Sequence, residues 1–237
     1  MSKKVAILVD GDFFIRCYKS HLKKQFGDKY KDPNPEKLAH NIHTYCLKHI
    51  NQKNDEELYR IFFYDCKPLD KKIHYPYTQT PLDLSKSSSY QERITLHKYL
   101  ISKPCLALRL GYLDANNARW VIHNKEKEKK LFNRKLSIEE FQDNDFIYYA
   151  KQKGVDIKIG LDIATLALKR LVQKIVLISG DSDFVPASKL ARVEGIIFTL
   201  DPMGNHIRGD LEEHIDYLPL GCHNLKNNNN NAYSIKH

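Results

Sequence analysis

The chain has 237 residues, 42% of them hydrophobic, which is enough for one large domain with a substantial core. Its 38 Lys and Arg outnumber 29 Asp and Glu, and the formal charge of +9 favours a polyanionic partner such as nucleic acid. Five scattered cysteines without a CxxC pair or His-Cys cluster argue against a disulfide framework or structural zinc, and the N-terminal apolar run is too short for a signal peptide or membrane span, so a cytoplasmic protein is expected.

In chain order, Val5 to Val9 predicts a strand that ends at Asp10, after which GDFFIRCYKSHLKKQFG turns to a helical pattern. Glu36 to Ile50 predicts a second helix, with Leu38, Ile42, Tyr45 and Leu47 among its apolar positions. Leu58 to Tyr64 (LYRIFFY) is strongly β-prone and ends at Asp65; Tyr90 to Leu100 reads as a helix, and Cys105 to Leu110 as a strand stopped by Gly111. Between residues 112 and 149 the pattern weakens to a candidate insertion, with a short strand at Trp120 to Ile122 and a charged NKEKEKK stretch that suits a solvated hairpin or helix. Regularity returns with KGVDIKIGLDIATLALKRLVQ, where Asp162 is expected to open a helix. Ile175 to Ile178 reads as a buried strand, SGDSDF as the loop after it, Phe184 to Glu194 as a helix ending at Gly195, and residues 196–200 as a last strand. The Asn-rich tail, 223–237, is expected to be disordered. Alternating strands and helices predict a mainly parallel sheet covered on both faces.

Four of these strands end in or near carboxylates: Asp10, Asp65, Asp181 with Asp183, and Asp201. In a parallel sheet the strand ends share one edge, where open α/β folds bind their ligands. Capping by Ser182 or Asp183 accounts for one acid in SGDSDF but not for both. Clustered carboxylates resist ionisation unless a cation neutralises them, and an all-oxygen set suits Mg²⁺ or Mn²⁺ rather than Zn²⁺.

VAILVDGDFF, LYRIFFYD, ALRLG, KGVDIKIGLDIA and VLISGDSDFVPASKLARVEG, in this order, resemble the bacterial NYN-domain proteins of the LabA/DUF88 group, within the PIN-like nuclease superfamily. The resemblance runs from Lys4 to about Leu220 and implies a Rossmann-like α/β/α sandwich over residues 1–222. It also implies a Mg²⁺- or Mn²⁺-dependent ribonuclease acting on single-stranded or structured RNA, with Asp10, Asp162, Asp181 and Asp183 as metal-binding and catalytic acids. Asp12, Asp65 and Asp156 are candidates for supporting or rim positions, and Arg16, Lys19, Lys67, Lys189 and Arg192 for contacts to the RNA backbone. Self-association is left open. One departure is Phe13, which stands where many members have Asn, so an RNA-binding domain without catalysis remains an alternative. Asp10-Gly11-Asp12 also resembles the opening of HAD-type phosphatases, with Phe14 where Thr or Val is usual.

Overall fold

A computed structural model describes residues 2–206, 213–220 and 232–235. The elements in chain order are β1 (Lys3–Asp10), α1 (Gly11–Phe26), α2 (Pro35–Leu47), β2 (Glu56–Cys66), β3 (Lys72–His74), β4 (Pro81–Asp83), α3 (Ser88–Ile101), β5 (Leu106–Leu113), β6 (Arg119–Ile122), α4 (Lys125–Phe132), β7 (Phe146–Tyr149), β8 (Gln152–Lys153), α5 (Val155–Leu168), β9 (Lys174–Ile178), α6 (Val185–Val193), β10 (Ile197–Asp201), β11 (Tyr217–Leu220) and β12 (Ala232–Ile235). They fall into two units, one of Met1–Asp65, Thr95–Gly111 and Gly154–His237, the other of Cys66–Ile94 and Tyr112–Lys153.

The first unit is built on a sheet ordered β12-β11-β10-β9-β1-β2-β5. β1 pairs in parallel with β2 and with β9, β9 with β10, and β10 with β11, whereas β11 and β12 are antiparallel. This is the mixed α/β architecture with a mainly parallel sheet that the alternating pattern predicts. Val5, Ile7 and Val9 of β1, with Val176 and Ile178 of β9, join Phe14, Tyr18, Leu38, Ile42 and Leu100 in one hydrophobic cluster. The alternate residues Ala6, Leu8, Ile175 and Leu177 are equally inaccessible on the opposite face. A strand buried on both faces must be apolar throughout, which is why VAILV and IVLI read as unbroken runs. Each buried Val, Leu or Ile contributes about 1.5–3 kcal/mol, so the strands that present their C-terminal ends to the site are the best anchored part of the unit.

Two helix starts matter for function. Asp10, the last residue of β1, is also the N-cap of α1, its Oδ1 accepting the Phe13 N–H at 3.1 Å. α5 begins at Val155, behind Gly154 in the left-handed region at φ 79°, and not at Asp162 as the sequence suggested. A glycine that can adopt positive φ sets the start about two turns earlier, which makes Asp156 the first-turn acid and leaves Asp162 in the body of the helix.

The second unit contains the antiparallel pairs β3–β4 and β6–β7, and the end of β5 pairs with β8 through Tyr112 and Leu113. Trp120 stacks on Tyr75, meets Tyr148 edge-on, and donates its indole N–H to the His74 carbonyl at 3.0 Å. The stretch NKEKEKK forms α4, and its Lys127 is held by Asp145 at 2.6 Å. The candidate insertion at 112–149 falls in this unit, which also takes in 66–94. Of the expected tail, 223–231 and 236–237 lie outside the described residues, and 232–235 form β12.

Candidate functional site

Parallel pairing of β1 with β9 places Val9 beside Ile178, so Asp10 and the Ser179–Asp183 loop leave the same edge of the sheet side by side. On the other side Asp10 pairs with Tyr64 at the end of β2. Asp10 therefore lies between the SGDSDF loop and the β2 end, at the carboxyl edge where the topology was expected to gather the acids.

Burial raises the Asp10 carboxyl to about 6; the Phe13 N–H opposes the rise, while the neighbouring charges of Asp12 and Asp156 add to it. These three acids form one interacting group, fed by the β1 end, the first turn of α1 and the first turn of α5. Arg16 works against the rise, but its Nε is paired to Asp12 at 3.1 Å on an exposed surface.

In the SGDSDF loop, Ser179 Oγ accepts the Asp181 N–H at 3.2 Å, and Asp181 Oδ1 accepts the Asp183 N–H at 3.0 Å. Both carboxylates are exposed. Phe184 occupies the cap position of α6 without a side-chain bond, so Asp183 is not its cap. The loop is seated by Phe13: a Cβ on Gly180 would come within 2.5 Å of the Phe13 ring. The aromatic ring at this position therefore supports the acidic loop by packing, a contact that only glycine at position 180 permits.

The other expected residues are placed differently. Asp162 Oδ2 accepts the Tyr64 hydroxyl at 2.8 Å and meets Arg109 Nε at 3.3 Å, and the Arg109 guanidinium lies over the Phe62 ring. Six residues along a helix turn the side chain by about 240°, so Asp156 and Asp162 leave α5 on different sides. Asp65, expected at the rim, is buried, its Oδ2 at 2.8 Å from His97 Nε2 of α3. Burial requires a partner for such a carboxylate, and the His97 ring supplies one. Asp201 is also internal: burial would raise its carboxyl, but His49, Tyr45 and the Met203 N–H outweigh that and hold it below its ordinary range.

Among the candidate RNA contacts, Lys19 is bonded to Asp32, and Arg192 is bound to Asp216 Oδ1 at 2.9 Å and to the Glu213 carbonyl. Lys189 and Arg192 line a groove of about 640 Å³ with His214 and Tyr217. Lys67 is exposed in the second unit. Tyr64 and Arg109 are absent from the sequence-based set. The visible signal for Arg109 is a lone cation within the apolar strand ALRL, but its partner Asp162 is 53 positions away and becomes adjacent only through folding.

Among the described residues, no three His, Cys, Asp or Glu side chains are drawn together tightly enough to hold a metal ion. The chemistry of the donors nonetheless fits a hard divalent cation. They are all carboxylates, one of them partly buried beside like charges, and Mg²⁺ is commonly held by one or two carboxylates with water completing its shell. No helix among the described residues is long and apolar enough to cross a membrane.

Residues 95–207 match the family described as the NYN domain. The matched segment contains Arg109, Asp156, Asp162 and the SGDSDF loop; Asp10 and Asp12 precede it. Among curated proteins none matches the chain. Among solved structures, a protein of unknown function from Vibrio parahaemolyticus aligns over 92% of this chain and 91% of its own, with 11% identity and a TM-score of 0.41.

Proposed function

We propose that the chain, whose residues 95–207 match the NYN domain, belongs to the PIN-like nuclease superfamily and is a divalent-metal-dependent ribonuclease. The observation that carries this reading is Asp10, set by β1 at the carboxyl edge of the sheet with its carboxyl raised to about 6 beside Asp12 and Asp156. A protein gains nothing in stability from an uncompensated carboxylate in such a position, whereas a cation-binding site requires one. Placement in the LabA/DUF88 group belongs to the same proposal.

Asp10 and Asp156 would hold Mg²⁺ or Mn²⁺, with Asp181 and Asp183 reaching it from the neighbouring loop. When bound, the ion would lower the pKa of a water so that it can serve as the nucleophile, and would supply positive charge for the leaving oxygen. The chain's own residues do the rest. Phe13 and Gly180 fix the height of the acidic loop against α1. Tyr64 and Arg109 hold Asp162 at the β2 side, where its carboxylate orients those two donors. In this arrangement Asp162 is a positioning residue, and Asp156 takes the ligand role that the sequence assigned to Asp162.

Cleavage of a labelled single-stranded RNA with Mn²⁺, by parent, Asp10→Asn, Asp156→Asn and Asp162→Asn, tests the assignment. Asp10→Asn and Asp156→Asn should lose cleavage, and Asp162→Asn should keep more of it. Full activity of Asp10→Asn rules the site out. A second reading, an RNA-binding domain without catalysis, draws support from Phe13 in the Asn position and from the open spacing of the acids. It is favoured if the parent binds RNA but shows no metal-dependent cleavage.

A further inference from the structure

A groove of about 730 Å³ lies between α1, α2 and the segment that joins them, away from the acids just described. Lys29, Lys31, Lys37 and Lys48 line it, and among the described residues none of the four forms an ion pair. Its lining acid, Asp32, is already neutralised, since it accepts from both Lys19 Nζ and the Tyr30 hydroxyl. Asp28 and Glu36 belong to the same stretch of chain but do not line the groove. Cations gathered without counter-charges in a concavity repel one another and raise the local potential.

Two aromatic side chains complete the lining. Tyr30 is half-buried and pinned by its bond to Asp32, while Phe26, at the last turn of α1, leaves 49% of its surface exposed. An exposed Phe beside a fixed Tyr and several lysines supplies the two elements that sequence-tolerant binding of a single strand needs, backbone neutralisation and stacking surface. The groove shares helix α1 with the proposed catalytic site. Asp10 caps helix α1, and the helix's lining residues run from Tyr18 to Phe26, about 12 to 24 Å along the axis from Asp10 at 1.5 Å per residue. That is the length of a few nucleotides.

We infer that this groove is a second binding surface for single-stranded RNA, which holds the strand on the α1 side of the acidic edge by phosphate contacts to Lys31 and Lys37 and by stacking on Tyr30 and Phe26. The inference rests on the proposal that RNA is the substrate. It adds that affinity grows with strand length once the strand reaches from Asp10 into the groove.

Fluorescence anisotropy of labelled oligoribonucleotides in EDTA, where no cleavage occurs, tests it on the full chain. For a strand of about a dozen nucleotides, Lys31→Glu/Lys37→Glu should weaken binding about tenfold and lower the salt slope by about 1.4, two phosphates at ~0.7 each. The same pair should leave binding of a trinucleotide, and the melting temperature, unchanged. Lys31→Gln/Lys37→Gln, expected to show the same direction at smaller size, serves if the charge reversal disturbs folding. Tyr30→Ala should weaken the long strand without changing the slope. Unchanged affinity and slope in the lysine variants overturn the groove assignment while leaving the nuclease reading in place. Loss of binding in those variants together with full cleavage by Asp10→Asn keeps the groove and removes the Asp10 site assignment. A parent that binds no RNA overturns both, and displacement of the RNA by polyglutamate at equal concentration gives the groove to an acidic protein instead.

Discussion

Replacing Asp10 by Asn separates the functional demand on this position from the structural one. The amide keeps Oδ1, so the Phe13 N–H retains its acceptor and α1 its cap. What it removes is a charge held in a place that disfavours charge. The carboxyl stands at about 6 against an ordinary 3.8, and at ~1.4 kcal/mol per pKa unit the ionised form costs the fold about 3 kcal/mol, reduced to about 2 by partial exposure. Because the folded state keeps a proton that the unfolded chain has lost, stability falls as pH rises between about 4 and 6, and the penalty is complete above that window. Without metal, Asp10→Asn should therefore match the parent near pH 4 and exceed it by about 2 kcal/mol at pH 8, a rise in Tm of about 4–8 °C for a chain of this size. Urea and thermal unfolding in EDTA across this pH range measure it. A difference that does not vary with pH, or a parent more stable than the variant at pH 8, refutes the account of Asp10 as an uncompensated carboxylate.

Millimolar Mn²⁺ should raise the melting temperature of the parent and shift Asp10→Asn much less, since a ligand stabilises in proportion to its binding; equal shifts would place the ion elsewhere. Gly180→Ala should lower stability by about 1–3 kcal/mol and reduce cleavage, because its Cβ would meet the Phe13 ring at 2.5 Å, and Phe13→Leu in the same chain should recover part of both. Additive losses in a double-mutant cycle would show that the two residues do not meet. Asp201→Ala should cost about 3–5 kcal/mol in urea unfolding, as it removes the carboxylate that Tyr45 and His49 both meet in a buried site. The stability that Asp201 contributes, with its carboxyl held below the ordinary range, is present above about pH 4 and lost on further acidification.

The sequence by itself determined the sheet. VAILV, IFFY and IVLI are short apolar runs, each closed by a polar or acidic residue, and a strand buried on both faces admits no other composition. It also marked the acidic loop, because two carboxylates after a strand are visible without coordinates. Local pattern could not decide which acids face one another. Asp162 looked like the head of a helix because the apolar spacing becomes regular after it, yet Gly154 permits the left-handed turn that starts α5 earlier, and that start brings Asp156 into interaction with Asp10. Asp65 carried the same strand-end signature as Asp10 but is enclosed with His97, a partner 32 positions away. Phe13 looked like a lost polar ligand, and only the approach of Gly180 shows what its ring supports. Strand identity depends on the burial of neighbouring residues, so it is written locally; the partner of a carboxylate is chosen by which distant segment the sheet order brings beside it, so it is settled only in the folded chain.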